Sequence, residues 1–128
     1  MNARLQPLTA RFLEQGRAEI FALRGLCHLG QEVYYMLQGT REALAQKSVA
    51  HAEAVRQEYL ILTQRYQTVS QDLITMLWKA PALSALQQDT SILQRIAQLL
   101  WIAHEMKQLA FHAESICTRL LFIVKGHT

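Results

Sequence analysis

Helix-breaking residues are scarce in this chain, with two prolines and five glycines among 128 residues. A polypeptide so poor in turn formers has few places to reverse direction, and a turn-rich or low-complexity organisation is excluded. Charge is thin as well. Charged residues make up 18% and apolar residues 51% of the chain, the reverse of the composition that keeps a polypeptide disordered. The formal net charge of +3 comes from 13 Lys and Arg against 10 Asp and Glu, scattered without a run of one sign. A nucleic-acid surface is normally a clustered basic stripe, so no nucleic-acid partner is expected. No unbroken apolar run exceeds five residues, as in LLWIA (99–103) and LLFIV (120–124), against the ~20 needed to cross a bilayer. Direct membrane insertion of this segment is therefore not expected. The opening MNARLQPLTARF lacks the apolar core and small-residue cleavage site of a secretion signal, which points to the cytoplasm, free or tethered to the inner face of the membrane.

Catalytic and metal motifs are missing too. There is no HExxH, no Gly-rich phosphate loop, no Ser-His-Asp order and no CxxC. A di-iron bundle needs a His three residues after an inward Glu, and no such pair exists. His28 and Glu32 share a helix face but read as an ordinary solvated pair. His104 and His112 fall on polar helical positions where a phosphotransfer histidine would sit, as some of any five histidines on helices would. No two carboxylates lie on an apolar seam where burial would make one an acid and the other a base. No enzyme, cofactor or metal site is expected. The two cysteines, Cys27 and Cys117, lie 90 positions apart, each in an apolar stripe, and read as buried reduced thiols.

What is present is helical periodicity in three long segments. The first runs from about Thr9 to Ala45, with Ile20, Leu23, Cys27, Tyr34, Leu37 and Leu44 as its inward face. Gly30 on that face would admit a close neighbour, and Gly39-Thr40 would end or kink the segment. Ser48 is placed to cap the second helix, whose seam is Ala52, Val55, Tyr59, Leu62, Tyr66, Val69, Leu73 and Met76. That helix is expected to stop at Lys79-Ala80-Pro81, with a short helical turn over Leu83–Gln88 and a new cap in Asp89-Thr90-Ser91. The third helix continues to about Val124. Its wide apolar face has Ile92, Leu99, Met106, Ala113 and Leu120 on one heptad line, Ile102, Leu109, Ile116 and Ile123 on a second and Ile96, Ala103, Ala110, Cys117 and Val124 on a third, and Lys125-Gly126 ends it. The expected fold is all-α, an antiparallel bundle of three long helices without strands. Residues 1–12 form a leader or joint, and 13–125 form the single bundle.

One stretch is specific enough to compare with a known family. IAHEMKQLAFHAESI (102–116) resembles the last helix of the PhoU family, whose pattern runs approximately I-A-x-E-L-E-R-I-G-D-H-A-x-N-I, with matches at Ile102, Ala103, Glu105, His112, Ala113 and Ile116. EAVRQEYLILTQRYQTVSQDLI (53–74) is similar to the family's second helix. ARFLEQGRAEIFALRGLCHLGQEVYYML (10–37) is similar to its first, above all in the form fused to bacterial sodium/phosphate cotransporters. The resemblance implies a three-helix bundle, a role in sensing or restraining phosphate uptake, and metal clusters held by E(D)xxxD motifs on two helices. At the motif positions this chain has Lys107 and Phe111 in the third helix, and Tyr59 and Thr63 in the second. A cation and an aromatic ring cannot ligate a hard metal ion. The fold is carried over and the metal is not.

The function expected from this reading is regulatory, through protein contacts, with a phosphate transporter as one partner. An unrelated helical adaptor or chaperone-type module shares the same composition and is the alternative. Trp101, Lys107, Phe111 and Phe122 lie beside or away from the heptad core, and exposed aromatics of this kind mark either an interface with a partner or second copy, or a surface covered by residues 1–12 or 80–90.

Overall fold

The computed structural model describes residues 5–87 and 91–126. Three helices fill them, α1 (Leu5–Gln46), α2 (Val49–Gln87) and α3 (Ser91–Lys125), and no strand occurs among the described residues. Direction alternates, so α1 and α3 run parallel and α2 antiparallel to both. The expected all-α three-helix bundle is the fold found.

Local chemistry sets the helix ends. Between α1 and α2, Lys47 takes a left-handed conformation (φ 50°), and the Ser48 N–H reaches the Ala43 carbonyl at 3.0 Å. Those two features close α1 with a Schellman-type turn. The Ser48 hydroxyl accepts the His51 N–H at 3.2 Å, which makes Ser48 the cap of α2 as expected. At the far end Gly126 (φ 76°) donates its N–H to the Phe122 carbonyl, and Lys125 pairs with Glu53 at 2.8 Å, tying the end of α3 to the start of α2. Asp89 and Thr90, the other expected caps, lie outside the described residues, as do residues 1–4 of the expected leader. Helix α1 begins at Leu5, so the backbone of residues 5–12 is continuous with it.

Two expected breaks are absent. Helix α2 passes through Pro81 to Gln87. Proline removes one backbone donor, and the helix-favouring residues that follow it, Ala82, Leu83, Ala85 and Leu86, restore the ladder. Gly39 also leaves α1 unbroken and instead seats Val55 of α2. A Cβ added there would fall 2.7 Å from Val55 Cγ2, and one at Gly25 would fall 2.5 Å from Val69 Cγ2. These two glycines draw α1 and α2 together. Gly30, by contrast, makes only an ordinary approach, with Met106 Cε 3.5 Å from the Cβ position.

The seam of α2 is buried where expected, at Ala52, Val55, Leu62, Val69, Leu73 and Met76, with Tyr59 and Tyr66 half-buried beside it. The inward face of α1 differs. Ala22, Leu26, Leu29, Val33, Met36 and Ala43 are buried, while Ile20, Leu23, Cys27, Tyr34, Leu37 and Leu44 all face outward. In α3 the core is Ile92, Ile96, Ala103, Ala110, Ala113, Cys117, Leu120 and Leu121; the line Ile102, Leu109, Ile116 and Ile123 is exposed. Small residues explain the choice. With Ala22, Ala43, Ala103, Ala110 and Ala113 inside, the three backbones approach closely, whereas the bulkier lines would hold them apart. Leu99 and Met106 are half-buried against this core.

Candidate functional site

The flank between α2 and α3 holds the positions that the PhoU resemblance marks for metal ligands. Lys107 Nζ lies 4.8 Å above the Tyr66 ring centroid. One turn further along α3, the Phe111 ring sits 6.4 Å from that of Tyr59 at 58°. Thr63 spends its hydroxyl on the Leu60 carbonyl at 2.7 Å. Beyond Phe111, Glu114 meets Arg56 at 3.6 Å, beside an open recess of about 460 Å³ that Glu53, Gln57, Tyr59 and Leu60 also line. Burial, seconded by the Glu114 charge, raises the Tyr59 phenol above its ordinary value and keeps it a neutral packing group.

The four marked positions thus carry a cation, two aromatic rings and a hydroxyl already engaged. A hard metal ion needs several oxygen donors converging on one point. Among the described residues no three His, Cys, Asp or Glu side chains come together in that way. The residues present do not fit the metal cluster that the family implies; they join α2 to α3 by a cation–π contact and a ring pair instead.

The aromatic residues expected to form an interface are spread along α3. Trp101 is 65% exposed, Phe122 50% and Phe111 47%. Trp101 and Phe122 lie on one helical line, but their 21-residue separation spans ~31 Å at the α-helical rise, and Phe111 turns toward α2. The structure groups Lys107 and Phe111 with the tyrosines of α2, and leaves Trp101 and Phe122 at separate points of the outer face. The larger apolar surface lies elsewhere. Leu23, Leu37 and Leu44 of α1 run beside Ile102, Leu109 and Ile116 of α3 as one exposed stripe. The signal for it was in the sequence, since α1 and α3 each carry more than one apolar line and a helix in a three-helix bundle cannot bury them all fully.

Of the two cysteines, Cys117 is buried as expected and Cys27 is exposed, because it belongs to the outward line of α1. The Thr40 hydroxyl gives its proton to the Met36 carbonyl at 2.7 Å, so the Cys117 thiol is the donor in its 3.5 Å contact with Thr40 Oγ1. Burial pushes the Cys117 thiol up in pKa. His28 and Glu32 do not pair. Glu32 instead bonds Arg65 across the α1–α2 flank.

Three long helices packed as one bundle, with Lys107, Phe111, Tyr59 and Thr63 along the α2–α3 flank, define an all-helical class of domain, and comparison with known sequences identifies the family. The profile described as the PhoU domain matches residues 26–120. The chain belongs to the PhoU family, which sets aside the reading as an unrelated helical module. The phosphate-specific transport system accessory protein PhoU homolog of Pseudomonas aeruginosa is 22% identical over 99 residues, covering 77% of this chain and 37% of that protein. The matched stretch thus spans little more than a third of the relative. No solved structure matches the chain. No helix among the described residues is long and apolar enough to cross a membrane.

Proposed function

We propose that this bundle is a cytoplasmic PhoU-type accessory domain that restrains or senses phosphate uptake by touching a membrane phosphate transporter, either in trans or as the cytoplasmic part of a sodium/phosphate cotransporter. It works without catalysis, metal or nucleic acid. The observation that carries the reading is the coincidence of the PhoU match over residues 26–120 with a ligand strip converted to Lys107–Tyr66 and Phe111–Tyr59 contacts. A family role survives the loss of the family's inorganic chemistry only if the protein surface performs it. Membership and the relative's printed role in phosphate-specific transport support the uptake link. The exposed rings of Trp101, Phe111 and Phe122, with the Lys107 cation between the first two, supply large, low-entropy contact groups of the kind enriched at protein interfaces.

The test is made in the host. Deleting the gene should change the rate of radiolabelled phosphate uptake at high external phosphate, and the intact gene should restore it. A W101A/F111A/F122A variant should fold with unchanged helix content yet fail to restore it. Unchanged uptake after deletion would contradict the phosphate role, and full restoration by the triple variant would move the contact surface off these rings.

A further inference from the structure

The open recess of about 460 Å³ near the start of α2 lies just past the ring pair that joins α2 to α3. Glu53, Arg56, Gln57 and Leu60 reach it from one face of α2, at spacings of three and four residues. Tyr59 enters from the edge of the seam, and Glu114 from α3, one turn beyond Phe111. The volume falls within the roughly 300–1,000 Å³ of small-molecule sites.

Both signs of charge line the recess, and neither is fully engaged. Glu114 Oε1 accepts the Thr118 hydroxyl at 2.7 Å and lies 3.6 Å from Arg56 Nε, too far for a hydrogen bond. Glu53 Oε1 accepts Lys125 Nζ at 2.8 Å. That hydrogen bond and the ammonium charge hold the Glu53 carboxyl below its ordinary range, so it stays ionised. Oε2 of either carboxylate, the terminal nitrogens of Arg56, the Gln57 amide and the Tyr59 hydroxyl meet no partner among the described residues. Burial keeps the Tyr59 phenol protonated, which leaves it a proton to donate.

This mixture of charges selects the ligand. A simple anion on Arg56 would also face Glu53 and Glu114, and a simple cation on those carboxylates would face Arg56 and Lys125. A zwitterion whose two charges stand about as far apart as Arg56 and Glu114 gains from both. Its carboxylate accepts from the two terminal nitrogens of Arg56 in the bidentate manner of guanidinium, with the Tyr59 hydroxyl as a third donor. Its ammonium donates to the free Oε2 atoms of Glu114 and Glu53. Leu60, 60% exposed, is the apolar wall against which an aliphatic group would lie.

We propose that this recess binds a free aliphatic α-amino acid, held by Arg56 and Tyr59 at its carboxylate and by Glu114 and Glu53 at its ammonium. The proposal goes beyond the transporter contact and is independent of it, so either can fail alone.

Titration of the isotope-labelled full chain with L-leucine, followed through its amide resonances, tests it. Isocaproate, which is leucine without its ammonium, and isoamylamine, which is leucine without its carboxylate, are the comparison probes. Leucine should move the resonances of residues 53–60 and 114–118 saturably, with a Kd of about 1 mM or tighter. Each analogue should bind at least about tenfold more weakly. R56Q and E114Q should each raise the leucine Kd about tenfold and Y59F about threefold, with helix content unchanged by circular dichroism. No saturable movement with leucine, an analogue that binds as tightly as leucine, or an R56Q variant that binds like the parent would overturn the proposal, as would shifts centred away from the recess. The two analogues decide the matter on the parent protein even if a variant fails to fold.

Discussion

Lys47 is the one non-glycine residue with positive φ among those described, and it sits where the chain turns from α1 into α2. A Cβ in the left-handed region crowds the neighbouring carbonyl, so this turn carries a small strain that glycine would relieve. Lys47→Gly should raise stability by about 1 kcal/mol in urea denaturation; a loss of stability would show that the Lys47 side chain makes a compensating contact. The cysteines report on burial at the same scale. Thiolate is the reactive form, and Cys117 is buried with its pKa raised while Cys27 is exposed. Titration with an aromatic disulfide reagent at mildly alkaline pH should label one thiol at once and the second at least ~100-fold more slowly, through opening of the bundle. A Cys27→Ser variant should retain only the slow phase, and fast labelling of that variant would contradict the placement of Cys117.

At the scale of the element, the three helices differ in how plainly they could be read. Helix α2 has one continuous apolar line, and polar residues hold most of the other positions up to Met76, so the seam from Ala52 to Met76 followed from spacing alone. Helices α1 and α3 each have more than one. Periodicity reports that a line is apolar, but which line goes inward depends on how closely the backbones pack, and that is decided by alanines and glycines whose own hydrophobicity is slight. Ala22, Ala103 and Ala110 therefore marked the core more faithfully than Ile20, Leu23 or Leu109. The same cause hides the exposed stripe of Leu23, Leu37, Ile102, Leu109 and Ile116, whose spacing by itself predicts core. The ligand strip was legible because it is a question of residue type: Lys107 and Phe111 replace acidic positions whatever the packing. Their partners Tyr66 and Tyr59 became visible only when α2 and α3 were brought side by side. A pair of substitutions separates the two kinds of leucine. Leu62→Ala, at a fully buried site, should cost about 2–5 kcal/mol by chemical denaturation. Leu109→Ala, at a 49% exposed site, should cost under about 1.5 kcal/mol. Equal losses would show that the Leu109 line is core after all.

At the scale of the whole molecule, this PhoU-family bundle carries contacts between helices at the positions where the family resemblance implies metal ligands. Tyr59, Tyr66, Lys107 and Phe111 hold α2 against α3, and the ion pairs Glu32–Arg65 and Glu19–Arg95 tie α1 to each of them. Nothing in that arrangement calls for an ion to complete it. The most direct measurement is elemental analysis of the purified protein together with its melting temperature before and after dialysis against a strong chelator. Metal well below one equivalent per chain and an unchanged melting temperature are expected. Iron, manganese or zinc at one or more equivalents, with a melting temperature that falls when it is removed and recovers when it is restored, would contradict that expectation.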